Sequence, residues 1–268
     1  MKKPKYIKWI IEENGVVFED KVALSCYRLD YSLDYNVFDD WALHLRKHYI
    51  SDGELQESLE LLKLTPEQYL KKYVIPQKGD TYGAVSRSND ITEILVSDLF
   101  EFVLSYTVPR WKQQERTGKT LSEHGTDVVA YKYNRKDKKP STSDELLAIE
   151  VKAELTSEGI SVISSAITDS LKDEQRHAHT LDVCRKKLKR LNQIEQAKEI
   201  ARFQQKSDYD YKITYIGAAI SSKSTIESNI LVGLSGEDLK LKSNQKVMYI
   251  HGEKLMQLTH EVYERCIK

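Results

Sequence analysis

The apolar positions of this chain change period several times, and each change marks an element. VVFEDKVALSCYRLDY, residues 16–31, alternates loosely among β-forming residues and predicts one or two strands. From Asp39 to about Tyr49 the spacing of Trp41, Leu45 and Tyr49 is helical, and acidic, leucine-rich helical turns follow. Thr65-Pro66-Glu67 opens another helix with proline in its first turn, where a missing N–H costs nothing, and this helix runs to about Val74, ahead of Pro76. QKGDTYGAVSRSND, residues 77–90, is rich in Gly, Ser and Asn and predicts a boundary. It divides the chain into an N-terminal α/β portion, residues 1–85, suited to contacting a partner, and a second domain, residues 86–268.

Beyond that boundary the pattern is more regular. Asp90 and Glu93 have the spacing of a capping box, and Ile94, Leu95, Leu99, Phe102 and Val103 recur at helical intervals until Pro109. HGTDVVAYKY (124–133) and LLAIEVKAEL (146–155) contain two predicted strands, 127–133 and 145–155, joined as a long hairpin by the polar turn NRKDKKPSTSD, 134–144. From about Ser165 to Gln205 the period is helical, as two helices or one long one. YKITYIGAAI, 211–220, is a nearly unbroken β-branched and aromatic run, the mark of a buried strand. A helix near 224–233, a strand at 246–251 and a helix from about Glu253 complete the order, which predicts a mixed α/β (α+β) domain with helices flanking the sheet.

Length and composition narrow the class. A chain of 268 residues buries about 75% of its unfolded surface, so it needs no disulfide or metal staple. Cys26, Cys184 and Cys266 are far apart and form no C-x-x-C pair, which predicts buried thiols and argues against a disulfide framework or a cysteine zinc cluster. No apolar run approaches the roughly 20 residues of a membrane span, and MKKPKYIKWIIEENG lacks the features of a signal peptide, so a cytoplasmic location without membrane contact is expected.

The formal net charge of zero conceals an uneven distribution. Residues 10–60 carry 12 acidic and 4 basic side chains, a balance of −8, whereas residues 106–140 (9 basic, 4 acidic) and 172–206 (10 basic, 5 acidic) stand at +5 each. The two basic segments could form a footprint for a phosphate backbone, which the acidic N-terminal part would repel. Alternatively, RKKLKR, residues 185–190, is the solvated face of a helix.

Candidate chemistry comes from strand alternation. Glu150, Lys152 and Glu154 project from one face of their strand, while Ile149, Val151 and Ala153 project from the core face. If the preceding strand begins at Asp127, its carboxylate lies beside Glu150, and paired carboxylates are the oxygen ligands Mg²⁺ prefers. Lys152, one side-chain step further on, could orient or deprotonate a water, or stabilise charge on a phosphate under attack. An isolated E-x-K is common on wet strand faces. Here it stands in a strand whose other face is apolar, after an Asp-started partner and a helix carrying Glu93, which serves either as a further acid or as the N3 member of the capping box.

These residues resemble the PD-(D/E)xK phosphodiesterase superfamily, restriction endonucleases among them, whose core is αβββαβ. The resemblance spans roughly residues 90–220, and Thr126 stands where the motif's proline would be. It implies that Asp127, Glu150 and the Val151 carbonyl ligate the metal, Mg²⁺ or Mn²⁺, that Lys152 is the catalytic lysine, and that Glu93 is an accessory acid. Over most of the chain, the order of DDWALHLRKHY, ITEILVSDLFEFVL, HGTDVVAYKY, LLAIEVKAEL and SAITDSLKDE resembles HamA, the nuclease subunit of the Hachiman anti-phage defence system. That resemblance implies a DNA endonuclease held in check by a superfamily 2 helicase partner, HamB. The alternative is an inactive nuclease-fold subunit that binds nucleic acid or regulates the helicase. In either case the lysine-rich turn, with Lys132, Arg135, Lys136, Lys138 and Lys139, is the expected contact with the DNA backbone.

Other motifs are weaker. Gly118-Lys119-Thr120 lacks the earlier glycine of a P-loop, which would fall at Gln113, so ATP binding is not expected. His177 and His179 point to different sides of a helix and read as surface residues. His124 could approach a scissile phosphate or cap a turn. Trp111, between Arg110 and Lys112, could equally stack on a base or fill the core.

Overall fold

The computed structural model describes residues 1–18, 21–114, 116–121, 125–156, 161–222 and 241–268. After a 3-10 turn, Lys5–Trp9, strands β1 (Ile10–Phe18) and β2 (Lys21–Leu29) pair antiparallel. Helices α1 (Tyr35–Tyr49), α2 (Asp52–Leu62) and α3 (Pro66–Tyr69) follow, the last continuing as a π turn, Leu70–Val74. Then come the long helix α4 (Gly83–Phe102), the hairpin strands β3 (Val128–Lys132) and β4 (Glu145–Glu154), and helices α5 (Ser161–Ser170), α6 (Asp173–Arg190) and α7 (Ile194–Phe203). Strands β5 (Lys212–Ser222) and β6 (Gln245–Gly252) and helix α8 (Leu255–Arg265) end the chain. The helix expected near 224–233 lies outside the described residues.

The strands form one six-stranded mixed sheet in the order β1-β2-β6-β5-β4-β3. The inner four strands run parallel and the two edge pairings are antiparallel. Because β2 pairs with β6, the N-terminal strands continue the sheet that carries the hairpin. Between α4 and β3, the only ladder contact among the described residues is a single bridge, Thr107 to Tyr131, so the first strand of the expected αβββαβ core is reduced to one residue pair.

Alternation separates two apolar layers. Ile149, Ile216, Ile220 and Ile250 face a large core with Trp41 and Leu45 of α1, Ile94 and Leu99 of α4, and Val262 of α8. On the opposite face, Val129 and Leu146 pack against Leu181, Cys184 and Ile200 of α6 and α7, and Ala219 and Val247 pack against Val162, Ile163 and Ala166 of α5. All three cysteines are free and buried. No described helix is long and apolar enough to cross a membrane.

Three local expectations change. The helix carrying Asp90 begins at Gly83, so Asp90 and Glu93 are buried interior residues and form no capping box. Tertiary packing overrides the weak helix propensity of the Gly- and Ser-rich stretch, with Arg87 donating through Nε to the Pro76 carbonyl at 2.6 Å. The 165–205 region forms three helices, breaking near Leu171 and again at Leu191–Gln193. RKKLKR is not a uniformly solvated face: Leu188 is in the core, and Lys187 is buried with its ammonium 5.2 Å from the Trp111 ring centre. Trp111 is itself a core residue.

Gly217 decides how closely α5 approaches the sheet. A Cβ there would stand 2.6 Å from the Ala166 carbonyl oxygen and 2.7 Å from its carbon, both backbone atoms. Gly217→Ala should therefore destabilise the protein by about 1–3 kcal/mol, as overpacking does. A denaturation midpoint equal to that of wild type would show that α5 is free to move outward.

Candidate active site

Asp127 stands immediately before β3, and the register pairing Val128 with Ile149 brings it level with Glu150 on β4. Its Oδ2 accepts the Val151 amide N–H at 2.9 Å, which clamps the carboxylate across the hairpin. Its Oδ1 accepts from Lys112 Nζ at 2.8 Å, and the same ammonium donates to Glu93 Oε1 at 3.1 Å. Helix α4 thus supplies Glu93, the segment after it supplies Lys112, and the hairpin supplies Asp127 and Glu150. Gln113 Nε2 lies 3.4 Å from the other Glu93 oxygen.

On the β4 side, Glu150 pairs with Lys152 at 2.9 Å and with Arg176 of α6 at 3.1 Å. Lys152 also reaches Asp169 of α5 at 2.8 Å, and Arg176 reaches the buried Asp173 at 3.0 Å. Thr126 ties this layer to Asp127: its hydroxyl donates to Asp173 Oδ1 at 3.0 Å, and its amide donates to Thr180 Oγ1 at 3.1 Å. The residue in the place of the motif's proline is therefore a hydrogen-bonding strut between the hairpin and α6.

Electrostatics mark the cluster as short of positive charge. Burial, reinforced by the charges of Asp127 and Asp90, pushes the Glu93 carboxyl up to about 8 despite Lys112. Burial and then the Asp127 charge also raise Glu150. Burial opposes the charge on Lys112, but Glu93 and Asp127 outweigh it and the ammonium is held above its ordinary range. Lys152 is raised as well, since its hydrogen bonds to Asp169 and Glu150 exceed the burial penalty. Both lysines are therefore cations at neutral pH.

Oxygen donors in excess of cations are the chemistry that suits a hard divalent ion, and Lys112 already stands as a cation between Glu93 and Asp127. The residues therefore fit such an ion, although Glu93, Asp127 and Glu150 are not collapsed into one tight group. Among the described residues, the donor sets with atoms within 4.8 Å of one another are Glu13, Cys26 and His251, and His44, His48 and Asp98.

The raised Glu93 pKa has a testable consequence without added metal. Its stability contribution is full below the unfolded value of about 4.5 and is lost as pH rises through about 8. The melting temperature of chelator-treated wild type should fall over that range and that of Glu93→Gln should fall less. Parallel curves would exclude Glu93 as the titrating group.

The family model for HamA matches residues 4–266. The chain belongs to the HamA family. HamA membership places it among anti-phage defence proteins of the Hachiman type, and the match takes in both the N-terminal strands and the hairpin. No curated protein matches the chain.

The sequence-derived set is thus partly gathered. Glu93 and Asp127 share Lys112, Glu150 pairs with Lys152, and the Val151 amide ties Asp127 to the strand that carries the second pair. Lys132, Arg135, Lys136, Lys138 and Lys139 are exposed at the other end of the hairpin, about 17 Å along β3 from Asp127 at 3.4 Å per residue. Arg135 pairs with Asp137, and Lys138 pairs with Glu199. Lys119 of the false P-loop pairs with Asp80 at 2.6 Å. His179 is exposed, but His177 is half-buried, its ring 5.9 Å from that of Tyr215. His124 lies outside the described residues.

Lys112, Asp169, Asp173 and Arg176 escaped the sequence reading because they lie on other elements. Only Lys112 carried a signal, its place beside Trp111 in a basic segment, and that signal suggested nucleic-acid stacking instead.

Proposed function

We propose that the chain is a metal-dependent DNA endonuclease, the effector subunit of a two-component Hachiman system paired with a superfamily 2 helicase. The observation that carries this reading is the meeting of Asp127, Glu150 and Lys152 at the carboxyl end of β4, with Asp127 clamped by the Val151 amide. Asp127 and Glu150, with Glu93 behind them, would hold Mg²⁺ or Mn²⁺. A bound divalent ion polarises a phosphoryl oxygen and lowers the pKa of water.

The chain's own groups do the remainder. Lys152, an ammonium held by Glu150 and Asp169, acts as a hydrogen-bond donor to an attacking water or to the developing phosphate charge; a raised pKa makes it a poor base. Arg176 holds the second Glu150 oxygen, so the carboxylate keeps its orientation beside Lys152, which Asp169 also holds. Lys112 keeps Asp127 and Glu93 together in the absence of metal.

The test is plasmid degradation by the purified chain with Mg²⁺ or Mn²⁺, alone and with its helicase partner. Metal-dependent cutting in at least one condition supports the reading. No cutting under any of them favours the alternative, an inactive subunit that binds nucleic acid or regulates the helicase.

A further inference from the structure

Away from the hairpin, α1 carries His44 and His48 four residues apart, the spacing that puts two imidazoles on one helical face. Their Nε2 atoms lie 3.2 Å apart, and Asp98 Oδ2 of α4 lies 2.8 Å from His44 Nε2. All three side chains are buried, Asp98 completely. Three Lewis-base atoms thus face one another. With both rings neutral, one Nε2–H serves the contacts to Asp98 and to His48 together. Burial, then the charges of Arg110 and His44, holds His48 well below the ordinary imidazole range, which keeps its lone pair available.

The spacing of the two imidazoles suits a metal. Zn–N bonds of about 2.0–2.1 Å at a tetrahedral centre put two ligand atoms about 3.3–3.4 Å apart, close to the 3.2 Å between the histidine nitrogens, while the 2.8 Å from His44 Nε2 to Asp98 Oδ2 is a hydrogen-bond distance that opens by about half an ångström on ligation. The surroundings resemble an outer shell: Arg110 holds Asp98 Oδ1 at 2.7 Å, and the Tyr6 hydroxyl donates to Oδ2, leaving that oxygen one lone pair aimed at the histidines. His48, but neither His44 nor Asp98, also lines a cavity of about 20 Å³, shared with Glu93, Arg110, Lys112 and Asp127, which is room for one water beside that imidazole. Two imidazoles and one carboxylate supply three of the four positions of a tetrahedral zinc and leave the fourth to a water, and mixed nitrogen and oxygen donors suit zinc.

The geometry points to a zinc clamp formed by His44, His48 and Asp98, which fastens α1 to the helix that carries Glu93. Its donors are distinct from those of the magnesium-type oxygen site of the hairpin, which include no histidine, although His48 shares a cavity wall with Glu93 and Asp127. The pair in HLRKH has the four-residue spacing that His177 and His179 lack.

The test uses the purified full chain, stripped of metal and reloaded with Zn²⁺ or Co²⁺. Wild type should bind one zinc per chain and melt at a higher temperature with it. With cobalt it should give the strong visible absorption of a tetrahedral centre, which Glu150→Ala should retain and His48→Gln should lose. His48→Cys guards against a variant that merely misfolds, because thiolate ligation would add a sulfur-to-cobalt charge-transfer band. Absence of tetrahedral cobalt absorption in wild type, or its persistence in His48→Gln, would overturn the proposal. So would a folded His48→Cys chain without the new band. Failure of the hairpin site would show instead as lost cutting with the cobalt signal intact.

Discussion

Replacing Lys152 by Ala is expected to lower metal-dependent DNA cutting by about 10²–10³-fold, the usual loss when one positioned electrostatic donor is removed. Glu150→Ala should lose at least as much, since it removes a proposed metal ligand together with the anchor of Lys152. Neither change should unfold the chain. Without Glu150, Lys152 keeps Asp169 and Arg176 keeps Asp173; without Lys152, Glu150 keeps Arg176. The measurement is the initial rate of plasmid cleavage beside the melting curve of each variant. Wild-type cutting by either protein would sink the site, and loss of activity accompanied by a collapsed melting curve would mark the residue as structural.

Asp90→Ser should cost about 3–5 kcal/mol of stability, read from a denaturant midpoint. The figure follows from breaking a buried pair and leaving its partner charged. Asp90 is 1% exposed; it takes two donors from Arg116 and one from the Tyr49 hydroxyl, which in turn meets the Tyr263 hydroxyl at 2.6 Å. Helices α1, α4 and α8 and the segment after α4 are thus joined through one carboxylate. A helix-capping Asp predicts the opposite, because Ser caps almost as well as Asp and the change would be nearly neutral. A loss well under 1 kcal/mol would restore the capping account.

That contrast shows where sequence reading reaches its limit. Asp90 and Glu93 have cap spacing, and a cap is a local device, so the local reading was self-consistent. The partners that reassign them, Arg116 and Lys112, come from a segment after the helix and are brought back by folding. Trp111 behaves alike: its basic neighbours suggested nucleic acid as readily as core, and its burial against Leu181 and Cys184 was decided by α6.

Some of the site was legible because it depends on a strict period. Alternation by two puts Glu150 and Lys152 on one face whatever surrounds the strand, and the polar turn between two β-forming runs makes the hairpin that brings Asp127 level with Glu150. The lysines of that turn were equally visible, but the same register sends them to the far end of the strands.

By itself, then, the sequence determined the mixed α/β class, the hairpin and the Asp127, Glu150 and Lys152 constellation, because strand periodicity and turn chemistry act within a few residues. Only the tertiary structure decided that Lys112 stands between Glu93 and Asp127, that Asp169 and Arg176 complete the surroundings of Lys152 and Glu150, and that His44 and His48 face Asp98. Each of those contacts joins elements distant in the chain. Burial and the convergence of charges set them, and neither is written in the spacing of neighbouring residues.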